Sequence, residues 1–362
     1  MLPKKLNIAA ALVGHRRKKR EEERERKRAF LENGGLVLEK LVASCNGRPI
    51  PIRTFSYQDL ILATNNFDHR LILHEDEDSG FQVYKGSFEG RILCIKSYNR
   101  KMSSPKGWAL MDIGISAKMS AHKNIQKLVG CCLETSIPTR VYEYAQNGVL
   151  ADRIYISKRK GTPMVWQSRL KIARQIAHAI AYLHTAFSRP IIHRDIKPQN
   201  ILLHQYDVPK LADFSFSISI PEGKTHVEDE VCGTQGFLCP IYLLTNMITE
   251  KTDVYSFGMV LLHILTGQYN YGQEAELASE NIDMRKNNSL EGHEKLVDSL
   301  RNRALNEIVD PAILEEEGGA GLEPQLQAVL ELGLTCTEYD PEIRPTMVNV
   351  TKELRRIERF LA

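Results

Sequence analysis

The chain has 362 residues, of which 43% are hydrophobic and 26% charged, and this composition is that of a globular protein, not a disordered or fibrous one. No apolar run reaches the roughly 18 residues that a membrane span needs. The seven cysteines are scattered without CxxC spacing, so they indicate neither a zinc site nor a disulfide framework. The expected compartment is the cytoplasm.

Charge is distributed unevenly along the chain. Residues 1–30 carry 11 Lys and Arg against 4 Glu, a net charge of +7, which leaves −4 for the rest of a chain whose total is +3. Residues 15–28 form a basic arm of good helix formers. A solvated helix is one interpretation of this arm, and contact with the anionic inner face of the plasma membrane is another. No aromatic residue is interleaved before Phe30, so we expect no nucleic-acid partner.

A linker and a short helix are predicted to follow the arm. Asn33-Gly34-Gly35 is a turn signal, and it predicts that residues 1–50 are an arm and linker. Ser56 and Asp59 have the spacing of a capping box. Residues 51–66 are therefore predicted to hold a short capped helix that leads into the main domain.

The main domain changes character along its length. Short apolar stretches with strand character occupy residues 67–144, with one helical stretch near residues 105–120, which predicts a small antiparallel sheet with one helix. After residues 147–148, apolar residues recur at three- and four-residue steps, as in helices that bury one face. The polar segment 270–322 is predicted as a surface insert and loop. Helices are predicted at residues 166–183, 252–266, 324–337 and 347–360.

The most specific signal is IIHRDIKPQNILL, residues 191–203. It resembles the catalytic loop of a eukaryotic protein kinase, HRD-x-K-x-x-N. The resemblance implies that Asp195 accepts the substrate hydroxyl proton, that Lys197 stabilises the transferring phosphoryl group and that Asn200 binds magnesium. Arg194 would brace the activation segment.

Other kinase motifs occur in the expected order. Lys96, in LCIKSY, resembles the strand lysine that binds nucleotide phosphates, and Val83 lies upstream at the distance expected of a nucleotide-contacting residue. LADFSFS resembles the magnesium-binding DFG motif, with Asp213 kept and Ser215 in place of glycine. The resemblance covers residues 67–360 and implies ATP and Mg²⁺ as cofactors.

The kinase resemblance also implies the architecture. The expected fold is α+β and bilobal, with a small antiparallel-sheet N-lobe that holds one helix, residues 67–142, and a larger helical C-lobe, residues 149–360. The hinge would be residues 143–148, which would place Glu143 and Ala145 beside a bound nucleotide.

A finer resemblance points to plant receptor-like cytoplasmic kinases. FSYQDLILATNNFD, KLVGCCLET, YEYAQNGVL, GTQGFLCPIYL and ITEKTDVYSFG all resemble the wall-associated-kinase-like branch. Within that branch the chain is most similar to the HopZ-ETI-deficient (ZED-related) family of pseudokinases. This implies a coiled-coil NLR immune receptor and other receptor-like kinases as partners, and pathogen effector enzymes that act on the chain. The activation segment would display four hydroxyls for modification, those of Ser217, Ser219, Thr225 and Thr234.

The phosphate loop departs from the kinase pattern. Kinases of this branch carry GxGGFGxVYKG, whose glycines let the backbone approach the phosphates, whereas this chain reads HEDEDSGFQVYKG. Aligned on Val83, the glycine positions become Asp76, Asp78 and Phe81. Aligned on Gly80-Phe81, one residue is missing, and either way only Gly80 survives. Each carboxylate near 4 Å from a phosphate charge costs about 1 kcal/mol in water and about 4 at intermediate dielectric, which predicts a weakened phosphate cradle.

Two further positions depart from the pattern. The helix partner of Lys96 is Asp112 if an insertion is allowed and Ile113 if it is not, and neither is the usual glutamate. The motif that resembles APE reads Cys239-Pro240-Ile241, so Arg344 loses its glutamate and requires another partner.

Two functions follow from these observations. The first is a pseudokinase that acts as a signalling adaptor in plant immune or receptor-linked signalling, with weak or absent phosphotransfer and residual ATP binding. The second is an active ATP-dependent Ser/Thr kinase with an atypical acidic loop, which the intact Lys96, Asp195, Asn200 and Asp213 support. A membrane-surface scaffold recruited by the basic arm is compatible with either.

Overall fold

The computed structural model describes residues 3–45, 52–76, 80–98, 106–156, 163–267, 297, 300–315 and 321–361. The chain divides into two compact units. The first comprises Met1–Ala121 and Lys127–Tyr144, and the second comprises His122–Gln126 and Ala145–Ala362. Residues 122–126 therefore belong to the second unit, although they lie inside the segment predicted as the N-lobe.

Helices are found in both units. The α-helices of the described residues are α1 Pro3–Cys45, α2 Tyr57–Ala63, α3 Lys106–Lys118, α4 Trp166–Thr185, α5 Pro240–Thr245, α6 Glu250–Thr266, α7 Leu305–Ile308, α8 Pro311–Leu314, α9 Glu323–Cys336 and α10 Met347–Glu358. None of them is both long and apolar enough to cross a bilayer. The helix predicted after Ser56 is confirmed as α2, and both hydrogen bonds of its capping box with Asp59 are formed.

In the part of the chain that the structure describes, strands form one large sheet and three small ones. They are β1 Arg53–Thr54, β2 Ile72–Asp76, β3 Phe81–Phe88, β4 Arg91–Tyr98, β5 Leu128–Cys132, β6 Thr139–Glu143, β7 Ile191–Ile192, β8 Ile201–Leu203, β9 Pro209–Leu211, β10 Ile218–Ser219, β11 Val227–Glu228 and β12 Met247–Ile248. The large sheet belongs to the first unit and has the order β1-β5-β6-β4-β3-β2, while the second unit holds the pairs β7–β10, β8–β9 and β11–β12.

The large sheet corrects the expected antiparallel pattern at one edge. Strands β2 to β6 pair antiparallel, but β1 joins β5 in parallel, with Arg53 opposite Gly130. A Cβ atom at residue 130 would lie 2.1 Å from the Arg53 carbonyl oxygen, so glycine is required for this close approach. The sheet is therefore mixed, because a strand from upstream of residue 67 extends it.

The prediction of a linker at residues 33–35 is wrong, because these residues lie within helix α1. The helix runs through Gly34 and Gly35 and packs on α3. Val37 is buried in an apolar cluster with residues of α3 and the sheet. The Asn33 side chain is fully buried, and its Nδ2 donates to the carbonyl oxygens of Leu133 and Thr135, each at 2.8 Å. Tertiary packing offsets the cost of two helical glycines, about 1 kcal/mol each.

The four helices predicted for the second unit are confirmed as α4, α6, α9 and α10. Helix α4 packs against α10, and α6 packs against α9. Every residue of α6 from Thr252 to Thr266 is buried, which explains why most of them are apolar. A Cβ at Gly258 would lie 2.6 Å from the Cβ of Cys336 on α9, so glycine permits the close crossing of these helices.

The prediction that residues 270–322 are a surface insert and loop is wrong for residues 300–315. Helices α7 and α8 form there, and Ile313 is fully buried. The carboxylate of Asp310, also fully buried, accepts a hydrogen bond from the Arg169 guanidinium of α4 at 2.8 Å. Residues 268–296 of the segment lie outside the described residues.

Candidate active site

The predicted catalytic loop begins directly after β7 and is fixed to α6. The Asp253 carboxylate, fully buried on α6, accepts hydrogen bonds from the backbone N–H groups of His193 at 2.8 Å and Arg194 at 3.0 Å. The Nε2 atom of His184 lies 2.9 Å from the same carboxylate. One buried acid thus holds two consecutive backbone groups of the loop.

His193 braces the loop from its other side. Its Nδ1 accepts a hydrogen bond from the backbone N–H of Asp195 at 3.2 Å, so the proton of the neutral ring lies on Nε2. Nε2 then donates to the carbonyl oxygen of Ala212 at 3.1 Å, next to the DFG-like motif. This arrangement connects the catalytic loop to the residue that precedes Asp213.

Two predicted catalytic-loop residues, Lys197 and Asn200, contact the Asp195 carboxylate, together with Thr234 of the activation segment. Asn200 Nδ2 donates to both the carbonyl oxygen and the Oδ2 of Asp195, each at 2.8 Å. Lys197 Nζ lies 3.1 Å from the same Oδ2. The Thr234 hydroxyl donates to Oδ1 at 2.6 Å and accepts from Lys197 Nζ at 2.5 Å. These groups orient the Asp195 carboxylate, as the role of a base that accepts a hydroxyl proton requires.

The predicted metal ligands are adjacent in the second unit. Asn200 uses Nδ2 on Asp195, which leaves its Oδ1 for a cation, and its carbonyl oxygen accepts from the backbone N–H of Ala212. Asp213 has φ +66° and its Oδ1 accepts from the Ser215 hydroxyl at 2.6 Å. Amide and carboxylate oxygens are ligands that Mg²⁺ accepts, so these residues fit the ion. Ser215, in the usual glycine position, competes for one oxygen of Asp213.

The four activation-segment hydroxyls lie in different surroundings. Thr225 is exposed, with its hydroxyl 3.2 Å from His226 Nδ1, whereas Ser217 is buried. Ser219 lies in β10 and pairs with Ile191 of β7. Thr234 is bound to the catalytic loop as described above. Of the four, Thr225 is therefore the hydroxyl that a modifying enzyme reaches without opening the segment.

Arg344 has other partners in place of the usual glutamate, as the sequence predicted. Its buried guanidinium lies 3.0 Å from the Cys239 sulfur and donates to the carbonyl oxygens of Glu338 at 2.6 Å and Tyr339 at 2.9 Å. The Tyr255 ring lies 5.0 Å from the guanidinium. Carbonyl dipoles, a sulfur atom and a ring face thus take the place of a carboxylate.

In the first unit, the predicted nucleotide-binding lysine contacts an aromatic ring. Lys96 lies on β4, 8% exposed, directly opposite Val83 of β3. Its Nζ is 3.9 Å from the ring centre of Phe81. The Phe81 ring also contacts Tyr98 edge-on, with centroids 6.1 Å apart. The residue at the third glycine position of the first alignment therefore covers the lysine.

Asp112 is buried on α3, where its carboxylate contacts Arg140, Tyr142 and Ser116 of the first unit. Its Oδ2 is 3.3 Å from Nη1 of Arg140 and accepts from the Tyr142 hydroxyl at 2.5 Å, and its Oδ1 accepts from the Ser116 hydroxyl at 3.0 Å. Arg140 is fully buried and lies opposite Lys96 in the sheet. The acid that was predicted as the lysine's helix partner is therefore an ion-pair partner of Arg140.

The acidic loop is only partly described. Glu75 and Asp76 lie in β2, and the Glu75 carboxylate accepts a hydrogen bond from the side chain of Gln82 on β3. Asp76 is opposite Phe81 in the ladder. Asp78, the second predicted glycine position, lies outside the described residues.

The two predicted hinge residues lie on either side of the division between the units. Glu143 ends β6, and its side chain accepts from the backbone N–H of Lys127 at 3.2 Å. Ala145 belongs to the second unit.

Sequence reasoning missed three functional contacts, those of Phe81, Arg140 and Thr234. Phe81 was treated as an obstructing side chain without a partner. An arginine within the apolar run of β6 was a signal for a buried ion pair, because such a charge is costly unless it is paired. Thr234 lies 39 residues from Asp195 in the chain, and no local pattern joined them.

With this geometry established, comparison with known proteins defines the class. The family model of the protein kinase domain matches residues 80–354, and the chain therefore belongs to the protein kinase family. In Arabidopsis thaliana it is similar to serine/threonine-protein kinase ZRK1, with 40% identity over 94% of this chain and 95% of the relative. It is similar to non-functional pseudokinase ZRK2, with 40% identity over 95% and 93%, and to non-functional pseudokinase ZED1, with 39% over 93% and 98%.

These relatives confirm the predicted branch and bilobal-kinase class. They cover nearly the full length of the chain, and a wall-associated receptor kinase is 33% identical over 98% of it. Serine/threonine-protein kinase ZRK1 and non-functional pseudokinase ZRK2 are similar to this chain at the same level of identity. The geometry of the site must therefore decide between the two functions.

Proposed function

We propose that this protein is a kinase-fold signalling adaptor with weak or absent phosphotransfer and residual Mg-ATP binding. The observation that carries the proposal is the Phe81 ring, 3.9 Å from Lys96 Nζ. A lysine over a ring face is attracted by about 0.5–2 kcal/mol, with the larger value for desolvated sites such as this one. A triphosphate that is to reach Lys96 has to compete with that contact.

The backbone at Phe81 gives a second argument. Glycines in a phosphate loop leave room for a ligand to approach the main chain, whereas Phe81 adds a ring there. Its backbone is also paired on both sides, opposite Asp76 of β2 and Tyr98 of β4. The two ladders therefore fix the Phe81 backbone next to Lys96, where a kinase phosphate loop has glycine.

The second unit supports residual nucleotide binding. When bound, Mg²⁺ would neutralise phosphate charge, and Asn200 and Asp213 would hold it. Asp195 is oriented to accept a hydroxyl proton, and Lys197 places a positive charge beside it. These side chains favour the charge distribution of phosphoryl transfer whenever a nucleotide is present.

One observation favours the alternative function, an active Ser/Thr kinase. The Asp195 carboxylate is held by Lys197, Asn200 and Thr234 in a closed hydrogen-bonded network, which is the arrangement a catalytic base needs. In that case weaker phosphate binding in the first unit raises the KM for ATP, and the rate of the chemical step is preserved.

The binding test is a thermal-shift titration of the full chain with Mg-ATP. We expect a small shift for the wild type and about tenfold tighter binding for Phe81→Gly, because that change removes the cation–π contact. Phe88→Gly is the matched control, since Phe88 lies in the same strand and contacts Phe55. Equal affinities for wild type and Phe81→Gly contradict the proposed role of the ring.

Phosphotransfer is tested separately by autophosphorylation, with Asp195→Asn as the blank. We expect the wild type to match the blank closely. An ordinary kinase rate of roughly 1–100 per second that the blank abolishes would establish the active kinase instead.

The partners are proposed from the family resemblance. We propose that a coiled-coil NLR immune receptor and other receptor-like kinases bind this fold, and that pathogen effector enzymes act on its activation segment. The exposed hydroxyl of Thr225 is the most accessible of the four predicted sites. Mass spectrometry of chain isolated from infected tissue, compared with Thr225→Val, tests this, and modification elsewhere in the segment would contradict it.

We further propose a cytoplasmic protein that reaches the inner face of the plasma membrane. Residues 14–20 of α1 are all exposed and include five consecutive Lys and Arg residues. Each such residue near an anionic surface contributes about 1 kcal/mol. Flotation with phosphatidylserine vesicles should therefore decrease when residues 16–20 are replaced by glutamine. Unchanged flotation would contradict the proposed membrane contact of the basic arm.

A further inference from the structure

Arg194 of the catalytic loop is a nearly buried cation with a carboxylate partner in the activation segment. Its side chain is 7% exposed, and its Nη1 lies 2.8 Å from Oδ2 of Asp229. Its Nε donates to the carbonyl oxygen of Phe216 at 2.6 Å, and Nη1 is 3.4 Å from the Tyr242 hydroxyl. A guanidinium in such surroundings requires a negative charge, because burial of an unpaired cation is costly.

Asp229 is fixed through its backbone as well as its side chain. It follows β11 directly, and β11 pairs with β12. The backbone N–H of Asp229 donates to the carbonyl oxygen of Asn246 at 3.3 Å. The side chain of Asp229 is 42% exposed, so this end of the ion pair is in contact with solvent.

The residues after Asp229 are fastened to the same unit at short intervals. The Tyr242 hydroxyl donates to the carbonyl oxygen of Glu230 at 2.8 Å and accepts from the backbone N–H of Cys232 at 3.0 Å. Burial raises the pKa of Tyr242, so its hydroxyl keeps the proton that it donates. Thr234 then donates to Asp195. Residues 229–234 are thus held against the catalytic loop.

We infer that Asp229 supplies the permanent negative charge that fixes residues 229–234 of the activation segment on Arg194, without phosphorylation. In kinases that are switched by loop phosphorylation, a phosphorylated residue forms new pairs with arginine and orders the segment. A carboxylate carries one charge where a phosphate carries about 1.5 to 2. The segment is therefore ordered in the unmodified chain, and the pair that orders it is weaker and sensitive to salt.

This inference is independent of nucleotide binding and of the proposed adaptor function. A segment that is ordered before any modification presents the same surface in every copy of the chain. Thr234 then stays on Asp195 without an upstream kinase. Asp229 acts as a positioning residue, because it affects the catalytic loop only through Arg194.

The experiment is hydrogen–deuterium exchange of the full-length chain after phosphatase treatment, with intact mass confirming that no phosphate remains. The reporting amide is that of Cys232, whose partner is the Tyr242 hydroxyl. We expect exchange at Cys232 to be about five- to tenfold faster in Asp229→Asn than in the wild type, because the ion pair is lost. Glu228→Gln and Glu230→Gln are matched controls, since each removes one charge from the same segment, and they should exchange like the wild type.

Salt and a conservative variant complete the test. Raising NaCl from 0.05 to 1 M should speed exchange at Cys232 in the wild type and leave Asp229→Asn unchanged, since screening acts on the pair that the variant lacks. Asp229→Glu should recover most of the protection.

The inference is overturned if Asp229→Asn exchanges like the wild type, or if either glutamate control accelerates exchange as much as Asp229→Asn. If Asp229→Asn exchanges faster throughout α4 as well, the salt series on the wild type decides, and salt-independent exchange at Cys232 then overturns it. Phosphatase-induced acceleration in the wild type would show that a phosphate, not Asp229, orders the segment.

Discussion

In the second unit, Asp195, Lys197 and Asn200 lie within 3.1 Å of one another around one carboxylate, whereas in the first unit Lys96 and Asp112 contact groups outside the kinase pattern. The second unit holds together the side chains that the kinase resemblance predicted as base, cation and metal ligand. In the first unit, an aromatic ring lies 3.9 Å from Nζ of the lysine predicted to bind phosphate, and a second buried cation, Arg140, lies opposite that lysine in the sheet. The comparison agrees with the proposal that nucleotide binding is weakened in the first unit while the second unit keeps the geometry predicted for phosphoryl transfer.

The largest effect that would sharpen this comparison is expected at Asp112. Asp112→Leu leaves the fully buried Arg140 without its carboxylate, and we expect the free energy of unfolding to fall by about 3–5 kcal/mol. Urea denaturation of the full chain measures this. The double variant Asp112→Leu/Arg140→Met should recover much of the loss, because neither member of the ion pair is left buried without the other.

The control for this prediction is an exposed pair of the same unit. Arg53 and Glu89 are 2.6 Å apart but 45% and 60% exposed, so Glu89→Leu should cost less than about 1 kcal/mol. Equal costs for Asp112→Leu and Glu89→Leu would mean that the first unit does not depend on its replaced ion pair.

An intermediate effect is expected at Asn33, which joins α1 to the sheet. Asn33→Leu removes two hydrogen bonds and leaves the carbonyl oxygens of Leu133 and Thr135 buried without that donor, which should cost about 1–3 kcal/mol. Thermal unfolding of the full chain measures it. Glu32→Gln, which weakens only the exposed pair with Lys106, should change stability by less than 1 kcal/mol. A reversed order would show that α1 does not depend on this buried amide.

The smallest effect is a pH dependence in the second unit. Burial, the neighbouring His178 and Lys123 lower the pKa of His122 from 6.5 to about 4. A histidine whose pKa is lower in the folded state stabilises the fold fully above pH 6.5, and this contribution is lost as the pH falls towards 4. Because His122 is only half-buried, we expect a loss of about 1 kcal/mol, less than its shift alone implies.

The measurement is the urea midpoint at pH 7 and at pH 4.5. His122→Gln should show a smaller fall than the wild type, while His69→Gln, at a residue 88% exposed, should behave like the wild type. A fall of the same size in His122→Gln would assign the pH dependence to other groups.

Predictions from sequence succeeded where the interacting residues are close in the chain. Asn200 is five residues from Asp195, and Ser56 is three from Asp59, so one turn of backbone brings each pair together. A local motif therefore carries its own geometry. Nucleotide contacts that were predicted for Val83, Glu143 and Ala145 stay predictions.

Predictions failed or were missing where distant segments set the contact. Arg140 reaches Asp112 because strand register places it beside β4, and that register depends on the whole sheet. Gly34 and Gly35 carried a turn signal, yet packing of Val37 on α3 keeps them helical. Propensity yields to tertiary packing in such a segment.

The continuous α1 has a practical consequence for protein production. A fragment cut to the limits of the matched kinase domain, residues 80–354, loses Val37 and Asn33 and so uncovers the apolar residues Leu110 and Leu128. Such a fragment would expose apolar surface that α1 covers in the intact chain, and it would be prone to aggregate. A low yield of the fragment would then result from the truncation. Expression boundaries for this protein should therefore keep α1 whole.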